Sequence, residues 1–186
     1  MTKADWRARF AAARAALAPD EAARQARAVT ELVLAWPLYR AARTVLLYAP
    51  LGGELDTSAL LDAALAQGKA LALPRCGASG RMDAAPVTNW RGLARGALGI
   101  LSPPGDAPAL PPRVIDLVLI PGVGFDAHGM RLGRGGGYYD RYLPGCAYPK
   151  AGLAFACQTV SALPREPHDA GVDYIITFQG ILPAKK

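Results

Sequence analysis

Between Pro121 and Tyr142 the chain reads PGVGFDAHGMRLGRGGGYYDRY. Glycines crowd this stretch, and Arg131, Arg134, Asp140, Tyr138 and Tyr139 stand among them. Glycine lets a backbone turn tightly and bring its N–H groups up to a bound anion. Arginine adds fixed charge with paired donors that match phosphate oxygens. Asp140, at the end of the glycines, is placed to hold a metal ion. The apolar run Val114 to Ile120 leads straight into the segment. A strand that opens into such a loop points to a nucleotide phosphate site.

Two common phosphate signatures do not fit. A P-loop needs GxxxxGK before Ser or Thr, and the chain has no Lys between Lys69 and Lys150. Gly122-Val123-Gly124 starts a dinucleotide fingerprint, but Asp126-Ala127 breaks it. Clustered glycine more often marks a plain surface turn. That reading leaves the arginines, the tyrosine pair and the aspartate without a role, so composition favours phosphate binding.

The surrounding elements must position these groups. Thr2 to Leu17 reads as a helix with a capping-box start at Thr2 and Asp5. Trp6, Phe10, Ala13 and Leu17 share its apolar face, while Lys3, Arg7 and Arg14 share another. Pro19 opens a second helix to about Trp36, and Pro37 is expected to stop it. Thr44 to Tyr48 is a strand; Asp56 or Thr57 caps a helix reaching Gln67; Ala70 to Leu73 is the next strand. Met82 to Val87 suits a further strand, and Ser102 to Pro112 is a long loop. Val114 to Ile120 has the pattern of a parallel strand buried on both faces. Gly137 to Leu143 starts a short helix, and Ala151 to Ala156 and Tyr174 to Thr177 are strands. Strands alternating with helices indicate an α/β protein, a mostly parallel sheet flanked by helices. Ligands of such sheets sit beyond the carboxyl ends of the strands, where the glycine loop, Ala49 to Asp56 and Arg75 all fall.

The chain of 186 residues fits one domain, with 52% apolar and 19% charged residues. No apolar run approaches the roughly 20 residues of a bilayer span. The N-terminus has no apolar secretory core or cleavage site, so a cytoplasmic location and no membrane partner are expected. Cys76, Cys146 and Cys157 are widely spaced and suggest neither a zinc site nor a disulfide framework. The net charge of +6 is scattered, without the basic-aromatic clusters of nucleic-acid binders, so no nucleic-acid partner is expected. A positive field also steers anionic substrates. His128 and His168 lie far apart without ligand spacing and take no catalytic role.

The segment resembles the signature of the 5-formyltetrahydrofolate cyclo-ligase family, through PGVGFD (Pro121 to Asp126) and RLGRGGGYYDRYL (Arg131 to Leu143). Further blocks agree: Lys3 with Arg7, YAPLGGELDT from Tyr48 to Thr57, Leu73-Pro74-Arg75, and Gln158, Asp169 and Asp173 to Thr177. The resemblance implies one three-layer Rossmann-like domain of the NagB/RpiA type over residues 1–186. It implies an ATP-dependent ligase that converts 5-formyltetrahydrofolate to 5,10-methenyltetrahydrofolate. The formyl oxygen attacks the γ-phosphate, N10 closes the ring, and phosphate leaves with ADP already formed. Arg131 and Arg134 are then the catalytic cations. Lys3, Arg7, Gly133, Gly135, Gly136, Gly137, Tyr138 and Tyr139 join them around ATP. Leu51, Glu54, Asp56 and Tyr138 fall where the family contacts folate. Asp140 and Asp173 match its magnesium positions, which makes Mg2+ the expected cofactor. A monomer or small homo-oligomer is expected.

Two positions depart from the family. Some relatives carry Lys at the place of Gly136, and many have an acid at the place of Ser102. A catalytically silent relative that binds nucleotide or RNA is the competing expectation; loss of Lys3, Arg7 or Asp140 would have favoured it.

Overall fold

The structure, a computed structural model, describes residues 1–77 and 80–185. Thr2 starts α1 (Lys3–Ala15): its hydroxyl accepts from the Asp5 N–H while the Asp5 carboxylate accepts from the Thr2 N–H. Pro19 opens α2 (Pro19–Ala35), where the missing N–H has no intrahelical partner to lose. Pro37 does end α2, but it also begins a further helix, α3 (Pro37–Ala41). A ring that cannot continue one helix is preorganised for the first turn of the next.

The remaining elements are β1 (Thr44–Leu46), α4 (Ser58–Ala66), β2 (Ala70–Cys76), β3 (Met82–Val87), β4 (Leu117–Pro121), β5 (Gly124–Asp126), β6 (Arg131–Leu132), α5 (Tyr138–Tyr142), β7 (Lys150–Leu153), β8 (Thr159–Val160), β9 (Tyr174–Thr177) and β10 (Gly180–Pro183). Seven strands form the main sheet in the order β10-β9-β7-β4-β1-β2-β3. The run from β9 to β2 is parallel throughout, and antiparallel β10 and β3 close the two edges. From β1 the chain moves outward to β2 and β3; from β4 it moves the other way to β7 and β9. The switch point lies between β1 and β4, so the segments that leave their carboxyl ends frame a crevice.

Alternation along the strands builds both cores. Val45, Leu71, Leu73, Leu117 and Leu119 face one side, packed with Val29, Val33, Leu60 and Leu61 of α2 and α4. Leu46, Ala72, Val118 and Ile120 face the other, packed with Phe125, Tyr142 and Leu143. Helices thus flank a mostly parallel sheet, as expected, although among the described residues α5 is the one α-helix on the second face.

The glycine-rich segment is not one loop. Residues 124–132 join β8 in a second sheet in the order β6-β5-β8. Phe10 of α1 packs there with Val123, Met130 and Leu132. Gly124 permits this contact, since a Cβ there would stand 2.1 Å from the Phe10 ring. The N-terminal helix is thereby docked on the segment that carries the site.

Candidate active site

A cavity of about 570 Å³ opens at the switch point. Tyr48 and Ala49 after β1, Pro121 and Gly122 after β4, and Tyr138 and Tyr139 of α5 line it. Gln158 braces its floor: its amide donates to the carbonyls of Gly122 (2.8 Å) and Val123 (2.9 Å) and accepts from the Phe155 N–H. This residue of the closing sequence block positions the turn and does not line the cavity.

Arg131 lies on β6, opposite Phe125, and is 4% exposed. One guanidinium nitrogen donates to Asp140 Oδ1 at 2.9 Å, and the group stands 5.1 Å over the Tyr139 ring. Burial pushes the Tyr139 phenol well above its ordinary range, so it stays neutral beside this cation. The buried Arg131 Nε has no partner among the described residues. A buried donor on a cation favours a further anion at that place.

Arg134 reaches across the mouth to Glu54 Oε1 at 2.9 Å, and the other Glu54 oxygen accepts from the Leu51 N–H. Leu51, Glu54 and Arg134 thus form one wall of the cavity. Asp56 does not join them. It is exposed and accepts from the Ser58 N–H at 2.9 Å, so it braces the start of α4, the role that its sequence position also allowed.

Gly133, Gly136 and Gly137 line the cavity, and Gly135 lies against Arg7. Gly137 has φ +66° and hands the chain into α5, a left-handed turn suited to glycine. Arg141, which the sequence reading left unassigned, donates to the carbonyls of Gly80 and Gly136 and pins the glycine turn to the β2–β3 connection.

The N-terminal cations divide. Arg7 Nε donates to the Gly133 carbonyl at 2.9 Å, so its charge stands against the glycine turn. Lys3 instead donates to both oxygens of Asp169 (2.8 and 2.7 Å) and to Glu166 (3.0 Å). Burial works against the Lys3 charge, but these two carboxylates outweigh it and hold its pKa above the ordinary value. Arg14, one more residue of the same helix face, has a buried Nε without a partner among the described residues. Burial and the nearby Arg134 charge pull its guanidinium pKa down, with Glu54 opposing.

The two aspartates expected at a metal separate as well. Asp140 Oδ1 accepts from Arg131 and from the Ala170 N–H (3.3 Å). Asp173 precedes β9 and binds the Lys150 N–H (2.9 Å) and ammonium (3.4 Å) at the start of β7. It therefore lies at the amino ends of the strands, across the sheet from the glycine turn. Asp169 is adjacent to Ala170, whose N–H donates to Asp140. Ligand atoms of Glu166, His168 and Asp169 lie within 4.8 Å of one another, and the Lys3 ammonium already sits against two of them.

An apolar cavity lined by Arg131 and Arg134 at the switch point of a mostly parallel sheet is the layout of an α/β enzyme for an anionic small molecule. Comparison with known proteins narrows that class. The sequence profile of the 5-formyltetrahydrofolate cyclo-ligase family matches residues 1–178, and the chain belongs to that family. It is 33% identical over 175 residues to the 5-formyltetrahydrofolate cyclo-ligase of Mus musculus, covering 87% of this chain and 86% of that protein. With the Escherichia coli K12 protein of the same description, identity is 31% over 170 residues, covering 88% and 93%. The NMR structure of Aquifex aeolicus 5,10-methenyltetrahydrofolate synthetase superposes with TM-score 0.87 at 31% identity, covering 100% of this chain and 94% of that one. Among the described residues, no helix is long and apolar enough to cross a membrane.

Proposed function

We propose that the protein is an ATP-dependent 5-formyltetrahydrofolate cyclo-ligase. The observation that carries this reading is the buried Arg131, with one carboxylate partner and one unpartnered nitrogen, beside a cavity sized for a small organic ligand. The folate ring system occupies the 570 Å³ cavity against Leu51, Glu54 and Tyr138, where the Glu54 carboxylate accepts from pterin N–H groups. The triphosphate lies along the glycine turn, within reach of Arg7, Arg131, Arg134 and the backbone donors of Gly133 to Gly137. Arg14 adds charge behind Arg134. Transfer to the formyl oxygen concentrates negative charge on the moving phosphoryl group, and fixed arginines stabilise that charge without reorganising. Tyr139 excludes water beside Arg131, which strengthens the interaction.

Asp140 lines the cavity and offers a hard carboxylate oxygen of the kind that magnesium takes. Asp140 would hold the ion beside the glycine turn, where it would offset phosphate charge. A reducing cytoplasm suits the free thiols of Cys76, Cys146 and Cys157, and the protein works as a monomer or small homo-oligomer without nucleic acid.

The test is the absorbance of methenyltetrahydrofolate formed from 5-formyltetrahydrofolate, with ATP and magnesium each supplied or omitted. Turnover is expected only with all components, with one ADP and one phosphate per product. Product formed without nucleotide overturns the mechanism; nucleotide binding without turnover under any condition identifies a silent relative.

A further inference from the structure

Glu54 and Arg134 have different duties in the reading above, one toward the folate ring and one toward the triphosphate, yet they hold each other. Arg134 donates to Glu54 Oε1 at 2.9 Å across the cavity mouth. The two ends of this bond are unlike. Glu54 is fixed: its other oxygen accepts from the Leu51 N–H, its own N–H donates to the Leu51 carbonyl at 2.9 Å, and its side chain is 11% exposed. Arg134 is 53% exposed and stands between Gly133 and Gly135. Among the described residues, Glu54 is the one group to which its side chain bonds. A long side chain on a glycine turn, tied only at its tip, regains its rotamers once that tie is released.

Arg14 stands behind the pair. Its buried Nε has no partner among the described residues, and its charge attracts Glu54 while it repels Arg134. Both effects weaken the grip of Arg134 on the carboxylate, so the pair holds the mouth without locking it.

We propose that the Glu54–Arg134 ion pair is a bar across the mouth that makes the two substrates bind cooperatively. The inference rests on the ATP and folate reading of this cavity. A triphosphate draws Arg134 away and leaves the Glu54 carboxylate open to ring N–H donors. A pterin ring that takes Glu54 leaves Arg134 open to phosphate. Whichever ligand arrives first must part the pair, and the second finds it parted. Each ligand therefore raises the affinity of the other by the same factor. The site then favours holding both substrates over holding ATP alone, where water could take the phosphoryl group.

Calorimetry with 5-formyltetrahydrofolate and the β,γ-methylene analogue of ATP, with magnesium throughout, tests the bar. The proteins are the wild type, Glu54→Gln, Arg134→Gln and the double variant, and thermal melts check the folding of each. In the wild type each ligand is expected to tighten the other about 2-fold to 5-fold, the range of a partly exposed ion pair. Without folate, Glu54→Gln should bind the nucleotide analogue more tightly than the wild type by that same factor. A residue that served only the folate or the fold would give no such gain. In the Arg134→Gln background the gain should vanish, and all three variants should lose the coupling. Independent binding of the two ligands to the wild type overturns the bar and leaves the ATP and folate reading standing. A gain that persists in the Arg134→Gln background also overturns it, since the lost charge would then act through its general field. Binding of neither ligand to the wild type overturns that reading and the bar together.

Discussion

Asp126 and Asp140 stand in the same glycine-rich stretch, yet the structure uses them in opposite ways. Asp126 is 3% exposed and its carboxylate is saturated: Oδ1 accepts from the N–H groups of His128 and Met130, and Oδ2 from Leu163. It closes the β5–β6 connection and ties it to a distant segment. Asp140 shares one oxygen between Arg131 and the Ala170 N–H. The first part of the segment, to Met130, is a finished polar network; the second, from Arg131, is left with a buried cation that has a donor to spare. A single run of sequence thus contains a frame and the site mounted on it. Stability should follow the first half and turnover the second.

The largest expected effect breaks the frame. Asp126→Ala removes the acceptor of three backbone donors, two of them buried (the Met130 and Leu163 N–H), and should cost about 3–5 kcal/mol of stability. Asp126→Asn should cost less, because its oxygen can still serve the two donors on one side. Denaturant unfolding measures both; equal losses in the two variants would show that the network needs the carboxylate itself, and that one retained oxygen is not enough. The second effect falls on the site. Arg131→Ala should raise the barrier by about 2.7–4 kcal/mol, seen as a fall in turnover number, while its thermal midpoint falls less than that of Asp126→Ala. A variant that unfolds but keeps full turnover per folded molecule contradicts the division.

Third comes the tie between α1 and the Glu166–Asp169 segment. Burial raises the Asp169 pKa, but Lys3 and the Glu166 N–H outweigh it and bring it below 3.8. A lowered carboxylate contributes stability above its ordinary pKa and loses it as pH falls through the lowered value. Asp169→Asn should therefore cost about 1–2 kcal/mol at neutral pH and nothing at strongly acid pH, where the wild-type carboxyl is protonated too. Melting curves across the acid range check this; a constant difference at every pH would exclude the ion pair as its source. The smallest effect is at Arg14. Removing a charge that repels Arg134 should leave the thermal midpoint unchanged or slightly raised, while the stabilisation of the protein by added ATP shrinks. A midpoint that drops, with ATP stabilisation intact, would make Arg14 a packing residue.

Local chemistry in the sequence foretold the elements that depend on it. The Thr2 and Asp5 cap and the Pro19 start act within a few residues, and each appears where the residue types require. The strand expected from Val114 starts only at Leu117, because Pro112 to Val114 form a 3-10 turn that leaves Val114 exposed. Misreadings came where a residue has two uses or where distance decides. Pro37 both stops and starts a helix. Strand β2 runs on through Pro74 and Arg75 to Cys76 because β3 pairs with it, a partner invisible in its own sequence. Strands β6 and β8 have two residues each, too few to show alternation. Asp169 and Asp173 both belong to the closing block; only the direction of β9 sends one toward Asp140 and the other to the opposite end of the sheet. Lys3 and Arg7 lie one helical turn apart, and nothing in that spacing indicates that one takes a carboxylate pair and the other a carbonyl.

The bonds between Lys3 and Asp169 span 166 positions of the chain. Made on a ribosome, the first helix emerges long before the carboxylate that fastens it. At about 5–20 residues per second, that interval is roughly 8–30 seconds. Through all of it the apolar face of Trp6 and Phe10 has no complete seat, because Leu163 of the same cluster is also still unmade. The nascent helix is therefore the segment most in need of a chaperone, and the protein should acquire its nucleotide site abruptly, near the end of translation.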